Sequence, residues 1–548
     1  MKNLFLSCLL FIGSLALVAC TGSDGSIEVA PAPPDTNYTV ILSGGTLYDG
    51  LGNPPIVTDI GIVNEEIVAF GDLSTFEAPL RIDVTGLAVV PGFIDVHSHA
   101  SGSNYNGSGL RRQPSAENYI RQGVTTAIVG QDGTSPYPID KFLQTVAQNP
   151  RTINLGTTVG HGTIRAIVMG NRDRKPTDAE LAKMKEMVVK SMKAGALGVS
   201  SGLEYTPGAY AKTDELIDVV NAGAAYGGIY TSHMRDEGGQ LLESIAETIR
   251  IGEEGGLAPH ITHHKVIGKD RWGNSIASLA LVDEARDRGV DVMSDVYPYT
   301  ASSTSINILF PAWSKEGNRQ ARLNRLRDPE KRLFIRNDIV KHIETERGSD
   351  PSTIVVANCT WNRQLNGKSL ADILTERNKP VTLVGAAEVA MELEEKGGCM
   401  GVFHSMSEED VQRIMQHPMT MIASDGGVPR MNVGTPHPRN YGTFARVLAR
   451  YVRELEVLSF EEAVRKMTSL PASRLGLEGR GSLRVGGIAD LAVLDPATIQ
   501  DHATFQEPHQ YASGVQHVFV AGEGVMLNGE MTGEKPGKVL KRNAIVNN

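Results

Sequence analysis

The stretch Leu87-Ala-Val-Val-Pro-Gly-Phe-Ile-Asp-Val-His-Ser-His99 ends an apolar run on two imidazoles. A Val- and Ile-rich run reads as a buried strand, and side chains two apart on a strand point the same way. His97 and His99 can therefore converge on one divalent ion, with the carboxylate of Asp95 two residues upstream. A lone histidine is an ordinary polar residue, whereas a pair at the carboxyl end of a strand is a ligand pattern. Further candidates follow along the chain: Asp132, Glu204, His233, the triplet His263-His264-Lys265, and Asp425 in Ser424-Asp-Gly426. Adjacent His263 and His264 must point to opposite sides of a continuing strand, so only one can join the others.

Those residues need a scaffold that gathers strand ends. Seven further strand signals lie at 124–130, 153–159, 197–200, 228–232, 259–262, 290–294 and 419–423. Helical stretches alternate with them, such as 177–194 with its Thr/Asp start and 239–254. Eight strand–helix units predict an α/β protein built as a TIM (β/α)8 barrel, whose chemistry sits at the carboxyl ends of the strands. The candidate ligands fall at those ends. Short β patterns at 38–90 and again at 481–548 predict a small β-sandwich formed from both ends of the mature chain, around a barrel at 91–480.

At 548 residues the chain is long enough for a large and a small domain. Its 41% hydrophobic and 21% charged residues are those of an ordinary globular protein. A net charge of −10 spread along the chain argues against nucleic acid as a partner. The start is different: Met1-Lys-Asn3, an apolar core from Leu4 to Val18, then Leu17-Val-Ala-Cys20. This is a secretory signal resembling a bacterial lipobox, which implies cleavage before Cys20 and its lipidation. Residues 21–37, with Pro31, Pro33 and Pro34, read as a flexible tether, and the lipid is then the sole membrane contact. Thr21 after the cysteine points to a lipoprotein of the bacterial cell envelope facing the periplasm, in the outer membrane by the usual sorting pattern. Cys359 and Cys399, forty positions apart, read as free thiols.

Six motifs in order then carry a resemblance: Pro91-Gly-Phe-Ile-Asp-Val-His-Ser-His99, Gln122-Gly-Val-Thr-Thr126, Ser232-His-Met-Arg-Asp-Glu237, Thr262-His-His-Lys265, Ser424-Asp-Gly426 and Glu507-Pro-His-Gln-Tyr511. Over about residues 38–530 the chain resembles the amidohydrolase superfamily, and within it the D-aminoacylases, the N-acyl-D-amino-acid deacylases. The resemblance implies one or two Zn2+ or other divalent ions held by His97, His99, His233 and His263, with His264 the alternate. It implies Asp425 as the catalytic acid and base, also touching metal. It places Lys265, Tyr205, Tyr297, Ser303 and Arg235 around the substrate, and an insertion at about 311–398 between the seventh and eighth strands. It also implies hydrolysis of an N-acyl amino acid, through a metal-activated water, to a carboxylate and a free amino acid. Dipeptides and cyclic amides are the alternative substrates.

One departure stands out. Family members end the second strand Asn-Cys-Gly with a metal-ligating cysteine, but this chain has Gln131-Asp132-Gly133. Another anion must replace that thiolate. Glu204, at the mouth of the fourth strand, is the expected bridging ligand, with Asp132 the alternate.

Overall fold

The computed structural model describes residues 36–102 and 109–542. The expected signal and lipobox cysteine, and most of the expected tether, lie outside the described residues.

Eight parallel strands form the centre: Phe93–Asp95, Val124–Val129, Asn154–Thr157 continued by Val159–Gly160, Gly198–Gly202, Ile229–His233, Ala258–Ile261, Met293–Val296 and Thr420–Ile422. The parallel Ser98–Gly426 bridge brings the eighth strand back to the first, and the barrel closes. This is the expected TIM barrel. Ile94, Ile128, Leu197, Ile229 and Met421 join its strands in one apolar cluster, which Leu475 and Leu540 complete.

The helices follow from local signals. Asp178–Lys193 starts on Thr177, whose hydroxyl accepts from the Glu180 N–H while Glu180 reaches back to the Thr177 N–H. That reciprocal box satisfies two of the orphan donors of the first turn.

The apolar run 88–95, read above as one strand, serves two sheets. Ala88–Pro91 pairs antiparallel with Leu491–Leu494 in the small domain, while Phe93–Asp95 enters the barrel. Gly92 is the joint, because any Cβ there would strike the Thr125 side chain 2.2 Å away. Strands from both ends of the chain form one nine-stranded, hydrogen-bonded sheet. Its edge strand Glu66–Gly71 meets 486–489 through the Ile67 N–H to Gly487 O bond, so the sheet curls over Leu42, Ile60, Leu491 and Phe519.

Between the seventh and eighth barrel strands the chain makes an antiparallel sheet of Ala301–Ser305, Met400–His404 and Ile354–Asn358, backed by Pro329–Glu346 and Leu383–Lys396. The layer begins ten residues before the expected 311 and ends after 398, because the hydroxyl-rich Ala-Ser-Ser-Thr-Ser305 carries no apolar strand signal. Cys359 and Cys399 are joined here by a disulfide, contrary to the expectation of free thiols. The Asn358–Met400 pairing sets them side by side, which spacing along the chain cannot reveal.

Candidate metal centre and active site

The first and eighth barrel strands are spliced at their carboxyl ends. Asp95 accepts from the Ser424 N–H at 2.8 Å and from the Ser424 hydroxyl. Asp425 N–H donates to His97 O, and His99 N–H to Gly426 O. Burial raises the Asp95 carboxyl to about 7, against the pull of the Ser424 donors. The splice brings His97, His99 and Asp425 together, with His99 Nε2 3.0 Å and His97 Nε2 3.6 Å from Asp425 Oδ1.

Asp132 arrives from the second strand and touches both halves of the site. Its Oδ1 lies 3.4 Å from His97 Nε2, and its Oδ2 3.2 Å from His99 Nε2. The same Oδ1 is 3.5 Å from His263 Nε2 and 3.9 Å from His233 Nδ1, while those two nitrogens are 2.7 Å apart. Two donor sets result, His97–His99–Asp132–Asp425 and Asp132–His233–His263, sharing one carboxylate.

The donor chemistry fits a divalent ion. Metal–ligand bonds of about 2.0–2.1 Å in a tetrahedron separate the donors by about 3.4 Å, the spacing seen in the first set. Both ring nitrogens of His97 and Asp132 Oδ1 are buried without a hydrogen-bond partner, a condition rare in native proteins unless something else satisfies the group. For Asp425 burial opposes ionisation, but Arg439 and then His97 outweigh it and hold the carboxyl well below the usual range. Asp132 is held low against burial by His97 and His263.

Backbone strain aims these groups. Asp132, His263 and Asp425 have φ of 54°, 35° and 48°, in the left-handed region. Each such residue costs on the order of 1–3 kcal/mol and persists where its surroundings overdetermine it. Asp295 supplies part of that restraint: its Oδ1 accepts from the His263 N–H and its Oδ2 bonds His260 Nε2, each at 2.7 Å. At the fourth strand, a Cβ on Gly202 would lie 2.2 Å from Asp132 O, so only glycine lets the Asp132 turn approach.

The other expected site residues divide. Glu204 Oε2 lies 2.8 Å from His233 Nε2, the nitrogen facing away from Asp132. The carboxylate therefore backs His233 and does not stand between the two sets, in contrast to the bridging place expected for it. The reason is reach: the Asp132 turn puts its carboxylate between the imidazoles, while Glu204 sits two residues past its strand. Glu204, His233 and Glu237 form a further close group on that side. His264 turns outward to Ser278 Oγ at 2.8 Å, away from both sets, and burial with the nearby Lys265 depresses it to about 3. Lys265 Nζ is buried between Glu237 Oε1 and His263 Nδ1, each at 2.6 Å, so its charge is spent on the site's frame and not on the cavity expected for it. Arg235 pairs with Glu247 and donates to Ala209 O and Ala211 O, which likewise removes it from the expected substrate contact.

A cavity of about 390 Å3 opens over His99, Asp132 and Asp425, and Tyr205 and Ser303 line it. Tyr297 does not line it. Its ring lies beneath Arg439, whose guanidinium carbon is 5.0 Å from the ring centroid. Arg439, missed from the sequence, faces the cavity and donates to Asp425 Oδ2 at 2.8 Å and to Ser303 O at 3.3 Å. Nothing in Pro438-Arg-Asn440 marks it, since it comes from a helix start beyond the eighth strand. Asp295 could have been found as the polar end of the seventh strand.

Residues 81–297 and 379–526 match the amidohydrolase family. The chain belongs to that family. The gap between the matched segments is most of the layer between the seventh and eighth strands. A D-aminoacylase of Alcaligenes xylosoxydans xylosoxydans is 37% identical to this amidohydrolase over 530 residues, covering 92% of this chain and 98% of that one. A solved D-aminoacylase, described by a binuclear metal centre with one-metal activation and second-metal attenuation, has a TM-score of 0.77 at 34% identity, covering 92% of this chain and all of that one. The N-acyl-D-glutamate deacylase of Bordetella bronchiseptica, solved with zinc and a phosphonate mimic of the tetrahedral intermediate, has a TM-score of 0.79 at 32% identity over the same shares.

Proposed function

We propose that this amidohydrolase hydrolyses the amide bond of N-acyl-D-amino acids, releasing a carboxylate and a free amino acid. The observation that carries the reading is the pair of donor sets sharing Asp132, set beside Asp425 and Arg439 in one cavity. His97, His99, His233 and His263 with Asp132 would hold a divalent ion, and zinc suits these imidazole and carboxylate donors. A bound divalent ion supplies the Lewis acidity that brings water to deprotonation near neutral pH.

The chain's own groups do the rest. Asp425 stays ionised at neutral pH, so its Oδ1 accepts the proton of the attacking water and returns it to the leaving amine. Arg439 fixes the other oxygen of Asp425 and presents charge to the cavity, where it meets the substrate's α-carboxylate. Ser303 and Tyr205 complete that wall.

The test is Asp425→Asn, which keeps shape but cannot take a proton. Turnover of an N-acetyl-D-amino acid should fall about 10²–10⁴-fold with fold and metal retained. A variant keeping more than roughly a tenth of wild-type turnover removes Asp425 from the chemistry.

The lipobox at Leu17-Val-Ala-Cys20 supports a lipid-anchored enzyme of the cell envelope, facing the periplasm. A disulfide suits that compartment, since such bonds persist in oxidising surroundings. Cys20→Ala should move the protein from the membrane fraction to the soluble periplasm, and retention in the membrane refutes the anchor.

A further inference from the structure

Arg439 reaches its partners from the first position of a helix, and one buried side chain fixes where that helix starts. His437 lies two residues earlier, in Thr435-Pro-His-Pro-Arg439, and is fully buried. It belongs neither to the two donor sets nor to the cavity lining. Its Nδ1 accepts from the Arg439 N–H at 3.0 Å, and its Nε2 donates to Ala301 O at 2.9 Å. An amide N–H can only donate and a carbonyl can only accept, so these bonds require the neutral ring with its proton on Nε2. Burial, and after it the Arg439 charge, hold the imidazole well below its usual range and so keep it neutral.

The ring has little room to turn. Tyr299 and Phe505 meet it edge-on with centroids 5.1 and 5.0 Å away, and Tyr297 lies at 6.2 Å. The His437 carbonyl accepts from Asn440 Nδ2 at 2.6 Å, and Asn440 Oδ1 accepts at 2.7 Å from the N–H of Gly427, two residues past Asp425. Ala301–Ser305 is the edge strand of its sheet. Carbonyls two apart on a strand face the same way. On that edge Ala301 O takes the imidazole, and Ser303 O takes the Arg439 guanidinium at 3.3 Å. The backbone and the head of Arg439 are thus docked on one strand edge, the first through His437.

We propose that His437 is a positioning residue for Arg439: by bonding Ala301 O and the Arg439 N–H together, it sets the guanidinium where the substrate's α-carboxylate is held. The inference rests on the deacylase reading above. A residue that merely capped the helix would need the Nδ1 bond alone.

Two variants separate these roles. His437→Asn keeps an acceptor for the Arg439 N–H, as asparagine caps helices well, but its amide is too short to reach Ala301 as well. His437→Gln is long enough to make both bonds. With metal-replete enzyme and N-acetyl-D-methionine, the folded Asn variant should show KM raised about tenfold or more and kcat lowered by a smaller factor, the signature of a displaced binding group. The Gln variant should recover most of the wild-type KM. A wild-type KM in the Asn variant, or a loss confined to kcat, overturns the proposal and leaves the deacylase reading intact. So does a folded Gln variant whose KM is raised about tenfold, which decides the matter alone if the Asn variant does not fold. No turnover by the wild-type enzyme refutes the deacylase reading itself.

Discussion

Asp132 occupies the place where two imidazole pairs need a common anion, and its charge matters more than its shape. Asparagine keeps the left-handed turn, which it tolerates as readily as aspartate, but removes the negative charge. Asp132→Asn should therefore strip most of the bound metal, measured as metal per chain after dialysis. Glu204→Gln should keep most of it, with affinity weakened about 10–100-fold, as is usual for a group that orients a ligand from behind. The reverse outcome would return the bridge to Glu204. At this scale the sequence showed residue types at strand ends but not side-chain direction. His97, His99, His233, His263 and Asp425 were legible because each closes an apolar run. The choice between Asp132 and Glu204 was not, because it depends on one φ angle at Asp132. The contact of Lys265 with Glu237 was not legible either: Glu237 comes from a different strand end, and no spacing links the two.

The antiparallel layer after the seventh strand is an element with its own core, built on Ile335, Ile339, Ile354 and Phe403. The disulfide ties Cys359, at the end of one of its strands, to Cys399, at the start of the next. A closed loop of this length is worth about 4 kcal/mol in the chain-entropy account. The double variant Cys359→Ser/Cys399→Ser should lower the thermal midpoint of this layer. It should also raise KM more than it lowers kcat, since Met400 borders the cavity while the barrel ligands lie on other elements. Thiol titration of the denatured, unreduced protein checks the bond directly: neither cysteine should react, and two reactive thiols would disprove it. This element was the least legible part of the fold. Its first strand is serine- and threonine-rich, its helices resemble those of the barrel, and its sheet is held by pairings between distant segments.

For the whole molecule, the barrel was legible because eight apolar runs alternate with helix signals and each ends on polar residues. The edges of each strand were not, and the seventh begins at Met293 where the apolar pattern suggested Val290. The division of the 88–95 run between two sheets depends on Gly92 touching Thr125, a contact no local pattern announces.

That division has a temporal consequence. Ala88–Pro91 is made early and Leu491–Leu494 late, yet they are neighbours in the same sheet. Val539 likewise bridges to Leu155, and Leu540 seals the barrel's apolar cluster. A ribosome emits these partners at opposite ends of its work, so the early strands wait with open edges until the last ones arrive. Closure over so long a separation is slow. A nascent chain of this design remains threadable until it is complete, and one cut short has neither a finished sheet nor a sealed barrel.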